Sequence, residues 1–234
     1  MPRIGRIVVP GIPHHITQRG NDRLVVFFTD DDRLIYLNIL REQARKYGLS
    51  VEGYCLMTNH IHLVAVPESE ESLALAVGRT HYLYTQPINA SNQRSGHLWQ
   101  NRFFSCALDE LHMYLGLRYV ELNPVRAKMA AEAWDYRWSS AAAHCGEVDA
   151  TGLLNMNTWR ERWNSEAWKK ELSDGVSVDQ ASTIRDSTQT GRPLGSLDFV
   201  VSMEKSLGRS LRALPVGRPR TRKPLASDSL LEFG

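Results

Sequence analysis

Two histidines on one apparent β-strand are the residues of this chain whose spacing most directly indicates chemistry. They lie in the segment Asn59-His60-Ile61-His62-Leu63-Val64. Because successive side chains of a strand point to opposite faces, His60 and His62 share one face, and Ile61 and Leu63 point toward a core. Two imidazoles at this spacing can bind a divalent metal ion if a third ligand comes from elsewhere. The alternative interpretation is a pair of ordinary polar residues.

A tyrosine and an asparagine downstream supply a matching set of groups. Tyr119 and Asn123 are four residues apart, which places them on one face of a helix, one turn from each other. Pro124 disfavours the helical conformation at Asn123, so we expect the regular helix to stop near that residue. A metal ligand at Asn123 helps to bring the tyrosine hydroxyl to the metal. The alternative is that Tyr119 packs in the core and Asn123 only ends the helix.

The composition indicates one domain with an appendage. The chain has 234 residues and a formal net charge of +2, and no apolar run approaches the ~20 residues that span a bilayer. Residues 1–6 lack the apolar stretch of a signal peptide. The three cysteines are isolated in sequence, which argues against a disulfide framework or a thiolate zinc site. We therefore expect a cytoplasmic protein without a membrane segment.

Positive charge is concentrated near the C-terminus. Six cations and no acidic residue lie in residues 209–223, a run interrupted by glycine and prolines. This pattern is typical of a flexible basic arm that exchanges counterions with a phosphate backbone, and a solubilising tail is the alternative. The candidate DNA contacts in the arm are Arg218, Arg220, Arg222 and Lys223.

Hydrophobic periodicity predicts an α+β fold. A first strand ends near Arg19, Thr29 caps a helix that ends at Gly48, and strands follow at residues 51–57 and 60–66. A helix over residues 71–84, a strand within residues 98–108 and a helix over residues 110–123 complete the order. The order β-α-β-β-α-β-α predicts a ferredoxin-like antiparallel sheet covered by helices.

Three regions follow from this pattern. Residues 1–146 contain the candidate catalytic groups, residues 147–190 form a helical or linker segment, and residues 191–234 form a small helical DNA-binding extension with the basic tail. Within the second region, residues 173–190 are polar and are interpreted as linker-like. Within the third, Ser196 and Gly208 bound a short predicted helix.

Five sequence blocks together resemble a known family. The chain is similar to the single-tyrosine HUH transposases of small bacterial insertion sequences, particularly the REP-associated tyrosine transposases. The resemblance covers roughly residues 3–146, and its blocks are PHHITQRG at 13–20, MTNHIHLV at 57–64, GHLWQNRF at 96–103, RYVELNPVRA at 118–127 and DYRWSS at 135–140. The extension after residue 190 resembles that of the REP-associated branch.

The resemblance implies a role for each of the four groups. His60 and His62 bind a divalent cation, Mg²⁺ or Mn²⁺, Tyr119 attacks DNA to give a 5′-phosphotyrosine, and Asn123 completes the metal site. Single-stranded or hairpin DNA is the implied partner, with no small-molecule cofactor, and the protein is a monomer or a homodimer. Pro87 departs from the family pattern, because a helix is expected to continue there and an interior proline usually kinks or ends one.

Other residues near these blocks are candidate DNA contacts. Arg19, Arg102 and Arg126 are candidates for phosphate contact, with a solvated surface role as the alternative. Trp99 is a candidate for base stacking, with core packing as the alternative. His14 and His15 are adjacent, so on a strand only one of them can face the metal site, and we assign neither as a ligand.

Two other functions are compatible with part of the pattern. One is a non-catalytic, domesticated regulator that binds hairpin DNA, which the intact set of four groups disfavours. The other is a metal-dependent hydrolase of small phosphoesters, which Tyr119 and the lack of a carboxylate on the histidine strand disfavour.

Overall fold

A four-stranded antiparallel sheet organises the residues that the computed structural model describes, which are 6–212. Its strands are β1 (His14–Arg19), β2 (Leu49–Met57), β3 (His60–Pro67) and β4 (Phe104–Ala107), in the order β2-β3-β1-β4. β1 pairs with β3 and β4, and β2 pairs with β3, each time antiparallel. Strands and helices follow one another in the predicted order, which confirms the α+β, ferredoxin-like arrangement.

Three long helices cover the sheet, namely α1 (Asp30–Lys46), α2 (Ser72–Ser91) and α3 (Glu110–Glu121). α1 begins at the predicted cap, where the Thr29 side chain accepts from the Asp32 N–H and the Asp32 carboxylate accepts from the Thr29 N–H. α1 packs against α2, and α3 packs on β2 and β3. No helix within residues 6–212 has the length and apolar character needed to cross a membrane.

The strand register brings His15 and His62 to the same face of the sheet. His15 of β1 pairs with Val64 of β3, two residues after His62. Directly paired residues of antiparallel strands project to the same face, and so do residues two apart on one strand. α3 lies over this face, since a Cβ added at Gly116 would lie 3.7 Å from the Val64 side chain.

α2 continues through Pro87 to Ser91, so the expectation that this proline ends or disrupts the helix is wrong. Pro87 is exposed, so its ring lies on the solvent side of α2. Tyr84 and Ile88 flank the proline and are fully buried, and Tyr84 donates a hydrogen bond to the Val26 carbonyl at 2.6 Å. Burial on both sides of the proline offsets its cost of about 3 kcal/mol.

The C-terminal part of the described chain is helical and packs on the sheet. Residues 178–190 form a helix with Ala181, Ile184 and Thr188 buried against β4 and α3, so the interpretation of residues 173–190 as a linker is wrong. The helix that begins after Ser196 and ends at Gly208 is confirmed. The other α-helices of the described residues are α4 (Asn123–Arg126), α5 (Ala141–His144), α6 (Met156–Arg162), α7 (Ser165–Ser173), α8 (Val178–Thr190) and α9 (Leu197–Leu207).

A buried carboxylate ties α3 to these C-terminal helices. Glu121 is fully buried, and its Oε1 accepts from Ser140 Oγ at 2.5 Å and lies 2.6 Å from His144 Nδ1. Its Oε2 accepts from Trp168 Nε1 of α7 at 2.8 Å. Because Glu121 is two residues after Tyr119, this network also holds the part of α3 that carries the tyrosine.

Glu121→Gln should lower the free energy of unfolding by about 3 kcal/mol, because the amide cannot accept all the hydrogen bonds that the carboxylate accepts. Urea unfolding followed by tryptophan fluorescence measures the change. The exposed Glu147 provides a control, and Glu147→Gln should change the free energy by less than about 0.5 kcal/mol. Equal effects of the two substitutions would contradict the role of the buried network.

Candidate functional site

His60 and His62 lie beside each other on one face of β3, with ring centroids 5.0 Å apart. His60 is partly exposed and His62 is buried. Ile61 and Leu63, which point to the other face, are fully buried in the main core. The alternation expected from the sequence is therefore the one that presents both imidazoles together.

The proton of His60 is located by its neighbour Asn59. Nδ1 of His60 lies 2.7 Å from Asn59 Oδ1, and Asn59 Nδ2 donates to the Arg23 carbonyl at 2.9 Å. The second contact identifies which end of the Asn59 amide is the acceptor, since a carbonyl oxygen only accepts. His60 therefore carries its proton on Nδ1 and leaves the Nε2 lone pair available to a metal ion.

His62 is oriented by a histidine that the sequence did not identify as part of the site. Nδ1 of His62 lies 3.0 Å from Nε2 of His15, and the two ring planes are nearly parallel, with centroids 5.2 Å apart. Within residues 6–212 no hydrogen bond to Nε2 of His60 or His62 is found. Which of the adjacent His14 and His15 faces His62 depends on the pairing of β1 with β3, and the sequence alone does not fix that pairing.

Burial keeps these imidazoles neutral. Desolvation, followed by the charge of Arg126, lowers the pKa of His15 to about 3. Desolvation, followed by the charge of Arg19, lowers the pKa of His60 to about 4. The pKa of His62 lies well below its usual value, mainly because of burial and then because of His60 and His15. Neutral imidazole is the form that binds metals, so both strand histidines are in the ligating form at neutral pH.

Tyr119 on α3 packs edge-on against the histidines. Its ring centroid lies 5.6 Å from that of His62 and 5.6 Å from that of His15, and the residue is 5% exposed. The guanidinium of Arg126 covers the ring, with Cζ 4.2 Å from the ring centroid. The tyrosine and the histidines, distant in sequence, therefore share one buried cluster.

Asn123 lies at the junction where α3 ends and α4 begins. Its Nδ2 donates to the Val120 carbonyl at 3.2 Å, which leaves Oδ1 as the acceptor end. Arg126 donates to Asn123 Oδ1 at 2.6 Å and to the Tyr119 carbonyl at 2.9 Å. Arg126 therefore fixes the turn between the tyrosine and the asparagine.

The donor set suits a divalent ion. The Nε2 lone pairs of His60 and His62 are ligands that divalent transition-metal ions accept, and the amide oxygen of Asn123 is a ligand type that Mg²⁺ and Mn²⁺ accept. In the described part of the chain, no three His, Cys, Asp or Glu side chains cluster as a metal site. A metal site with these two histidines would therefore need a further ligand of another type, and Asn123 Oδ1, which already accepts from Arg126, has a second lone pair.

The candidate DNA contacts occupy different environments. Arg19 and Arg102 are exposed, whereas Arg126 is partly buried at the site. Arg218, Arg220, Arg222 and Lys223 lie outside the described residues.

Trp99 is packed in the core, as the alternative interpretation of this residue states. It is 8% exposed, and His81 stacks on it with ring centroids 4.4 Å apart. Tyr36 and Tyr84 lie around it, with centroids 6.1 Å away in each case. This burial argues against Trp99 as a platform for DNA bases. Trp99 also lines a cavity of about 510 Å³. Tyr82, another aromatic residue that lines this cavity, is 53% exposed.

Trp99→Ala should lower the free energy of unfolding by about 3–5 kcal/mol, because it empties a position surrounded by aromatic rings. Chemical denaturation measures the loss. Tyr82→Ala, at an exposed position lining the same cavity, should cost less than about 0.5 kcal/mol. A negligible loss of stability for Trp99→Ala, together with weakened DNA binding, would restore the base-stacking interpretation.

Comparisons with known proteins bear on the family and the fold of this chain. Residues 9–123 match the family model described as Transposase IS200 like. A solved structure of a REP-associated tyrosine transposase bound to a REP hairpin is 16% identical, over 67% of this chain and 90% of that chain, with a TM-score of 0.52. A putative transposase from Deinococcus radiodurans is 17% identical, over 55% of this chain and 92% of that one, with a TM-score of 0.36. No curated protein matches the chain. At this identity the first likeness shows the fold alone, and the second carries no argument.

Proposed function

The chain belongs to the IS200-like transposase family through residues 9–123, and on this premise we propose that it cleaves and rejoins single-stranded DNA with Tyr119 as the nucleophile. The observation that carries the proposal is the packing of Tyr119 against His62 on a face where both strand histidines keep Nε2 free. His60, His62 and Asn123 are the proposed ligands of Mg²⁺ or Mn²⁺.

The reaction is a transesterification at one phosphodiester. The oxygen of Tyr119 attacks phosphorus and loses its proton, the bond from phosphorus to the 3′ oxygen breaks, and the departing oxygen takes up a proton. The products are a 5′-phosphotyrosine and a free 3′-hydroxyl, and a 3′-hydroxyl can later reverse the step without ATP. A divalent ion held by these ligands supplies polarisation of the scissile phosphate and stabilisation of its developing charge.

Arg126 positions the reacting groups. Its hydrogen bonds to the Tyr119 carbonyl and to Asn123 Oδ1 hold the nucleophile and the proposed amide ligand in one turn. We assign phosphate contact first to Arg19 and Arg102, because both residues are exposed.

Hairpin recognition is the proposed substrate preference. The solved neighbour of the same fold is bound to a REP hairpin, and the sequence blocks of this chain resemble the REP-associated branch. The basic arm of residues 209–223 supplies cations for a DNA backbone.

A non-catalytic hairpin-binding regulator is the second candidate. The observation in its favour is the closed state of the site, in which Tyr119 is 5% exposed and Arg126 occupies one lone pair of Asn123 Oδ1. Formation of a covalent protein–DNA adduct distinguishes the two, because a regulator forms none.

Tyr119→Phe should abolish the covalent adduct with single-stranded hairpin DNA in the presence of Mn²⁺, while leaving hairpin binding unchanged, because only the attacking oxygen is removed. Denaturing gel electrophoresis of labelled DNA detects the adduct. Tyr114→Phe is the control, since Tyr114 lies on the same helix and packs against Trp163. An adduct that persists in Tyr119→Phe means that another residue is the nucleophile.

Truncation after Arg212 should weaken hairpin binding and reduce its salt dependence. The described fold remains, because Met203 and Leu211, which pack with Ile7 and Ala107, are retained. Loss of Arg218, Arg220, Arg222 and Lys223 should lower the slope of log K against log salt by up to about 3, at ~0.7 for each single-strand phosphate contact. Truncation after Lys223 removes no Lys or Arg and is the matched control. If truncation after Arg212 leaves the slope of log K against log salt unchanged, the proposed role of the arm is wrong.

A further inference from the structure

A chain of three hydrogen bonds runs from the backbone of α8 to the ring of His62. Thr188 Oγ1 lies 2.7 Å from the Ile184 carbonyl oxygen, His15 Nδ1 lies 2.7 Å from Thr188 Oγ1, and His15 Nε2 lies 3.0 Å from His62 Nδ1. His15, Thr188 and His62 are all buried. Thr188 lies well beyond residue 123, where the match to the transposase family model ends.

The direction of each hydrogen bond follows from the first one. A backbone carbonyl only accepts, so the Thr188 hydroxyl proton points to Ile184 and Oγ1 must accept from His15 Nδ1. His15 then carries its proton on Nδ1 and presents a lone pair on Nε2. That lone pair accepts from His62, which therefore carries its proton on Nδ1.

This direction leaves the Nε2 lone pair of His62 free on the side of the proposed metal site. We propose that Thr188 of α8, acting through His15, sets the tautomer of His62 that binds the metal ion. The inference rests on the proposed function in one respect, the use of His62 as a ligand. His15 and Thr188 are positioning residues, since neither contacts the reacting groups of the DNA.

The contacts around Thr188 support this direction of the hydrogen bonds. Cys106 Sγ lies 3.2 Å from Thr188 Oγ1, and burial raises the pKa of this thiol to about 12, so Cys106 stays protonated and can donate to the second lone pair of Oγ1.

Removal of the Thr188 hydroxyl should reverse the direction of the hydrogen bond between His15 and His62. In Thr188→Val a proton on His15 Nδ1 would be a buried donor without its acceptor, which is costly. His15 avoids this cost by moving the proton to Nε2, where it donates to His62 Nδ1. His62 then carries its proton on Nε2, the atom that the metal ion needs. Loss of such an orienting partner typically lowers metal affinity about 10–100-fold.

Two measurements on the full-length protein test the inference. Long-range ¹H–¹⁵N spectra of the metal-free protein at pH 7.5 report which ring nitrogen of His62 is protonated, and a Mn²⁺ titration followed by electron paramagnetic resonance reports affinity. We expect Nδ1–H in the wild type and in Thr188→Ser, and a shift toward Nε2–H with at least about tenfold weaker Mn²⁺ binding in Thr188→Val. Thr188→Ala, which also lacks the hydroxyl, gives the same comparison if the valine variant does not fold.

Thr183→Val is the matched control. Thr183 lies on the same helix and donates to the Asp179 carbonyl at 2.8 Å, but it is exposed and forms no hydrogen bond with a histidine in the described part of the chain. Retention of Nδ1–H on His62 in the Thr188 variants, or an equal loss of Mn²⁺ affinity in Thr183→Val, would overturn the inference. A tautomer shift in a protein whose wild type binds no Mn²⁺ would instead uphold the hydrogen-bond chain and reject the metal site of the proposed function.

Discussion

The packing of α3 against the histidine-bearing face of the sheet is the constraint on which the site depends. It places the Tyr119 ring 5.6 Å from the ring of His62, although the residues are far apart in sequence. Burial of imidazoles in this interface is tolerated because they are neutral and their Nδ1 atoms are hydrogen-bonded. The same contacts that make burial possible leave Nε2 of His60 and His62 free.

The C-terminal helices contact both sides of this interface, α3 and the sheet. Glu121 connects α3 to Ser140, His144 and Trp168, and Thr188 of α8 contacts His15 beneath the site. Both connections use buried polar atoms, which are costly when left without partners. Residues beyond the family-matched region therefore contact the residues of the candidate site, and packing contacts cross the predicted boundary at residue 146.

Local signals predicted most of the fold. The cap at Thr29, the alternation across His60 to Leu63 and the proline after Asn123 each act within a few residues, so the elements they bound could be placed from sequence. Pro87 was misleading because its cost is outweighed by the burial of Tyr84 and Ile88, which is a tertiary effect. α8 was missed because its three buried residues, Ala181, Ile184 and Thr188, include only two apolar side chains.

The sequence by itself determined which chemical groups are available: two imidazoles on one strand face, and a phenol and an amide one helical turn apart. Periodicity is a property of local backbone geometry, so it is readable without any knowledge of the fold. The tertiary structure alone decided that His15 supports His62, that Arg126 joins Tyr119 to Asn123, and that Trp99 packs inside the core. These outcomes depend on strand register and helix packing, which arise from contacts between residues distant in sequence and have no local signature.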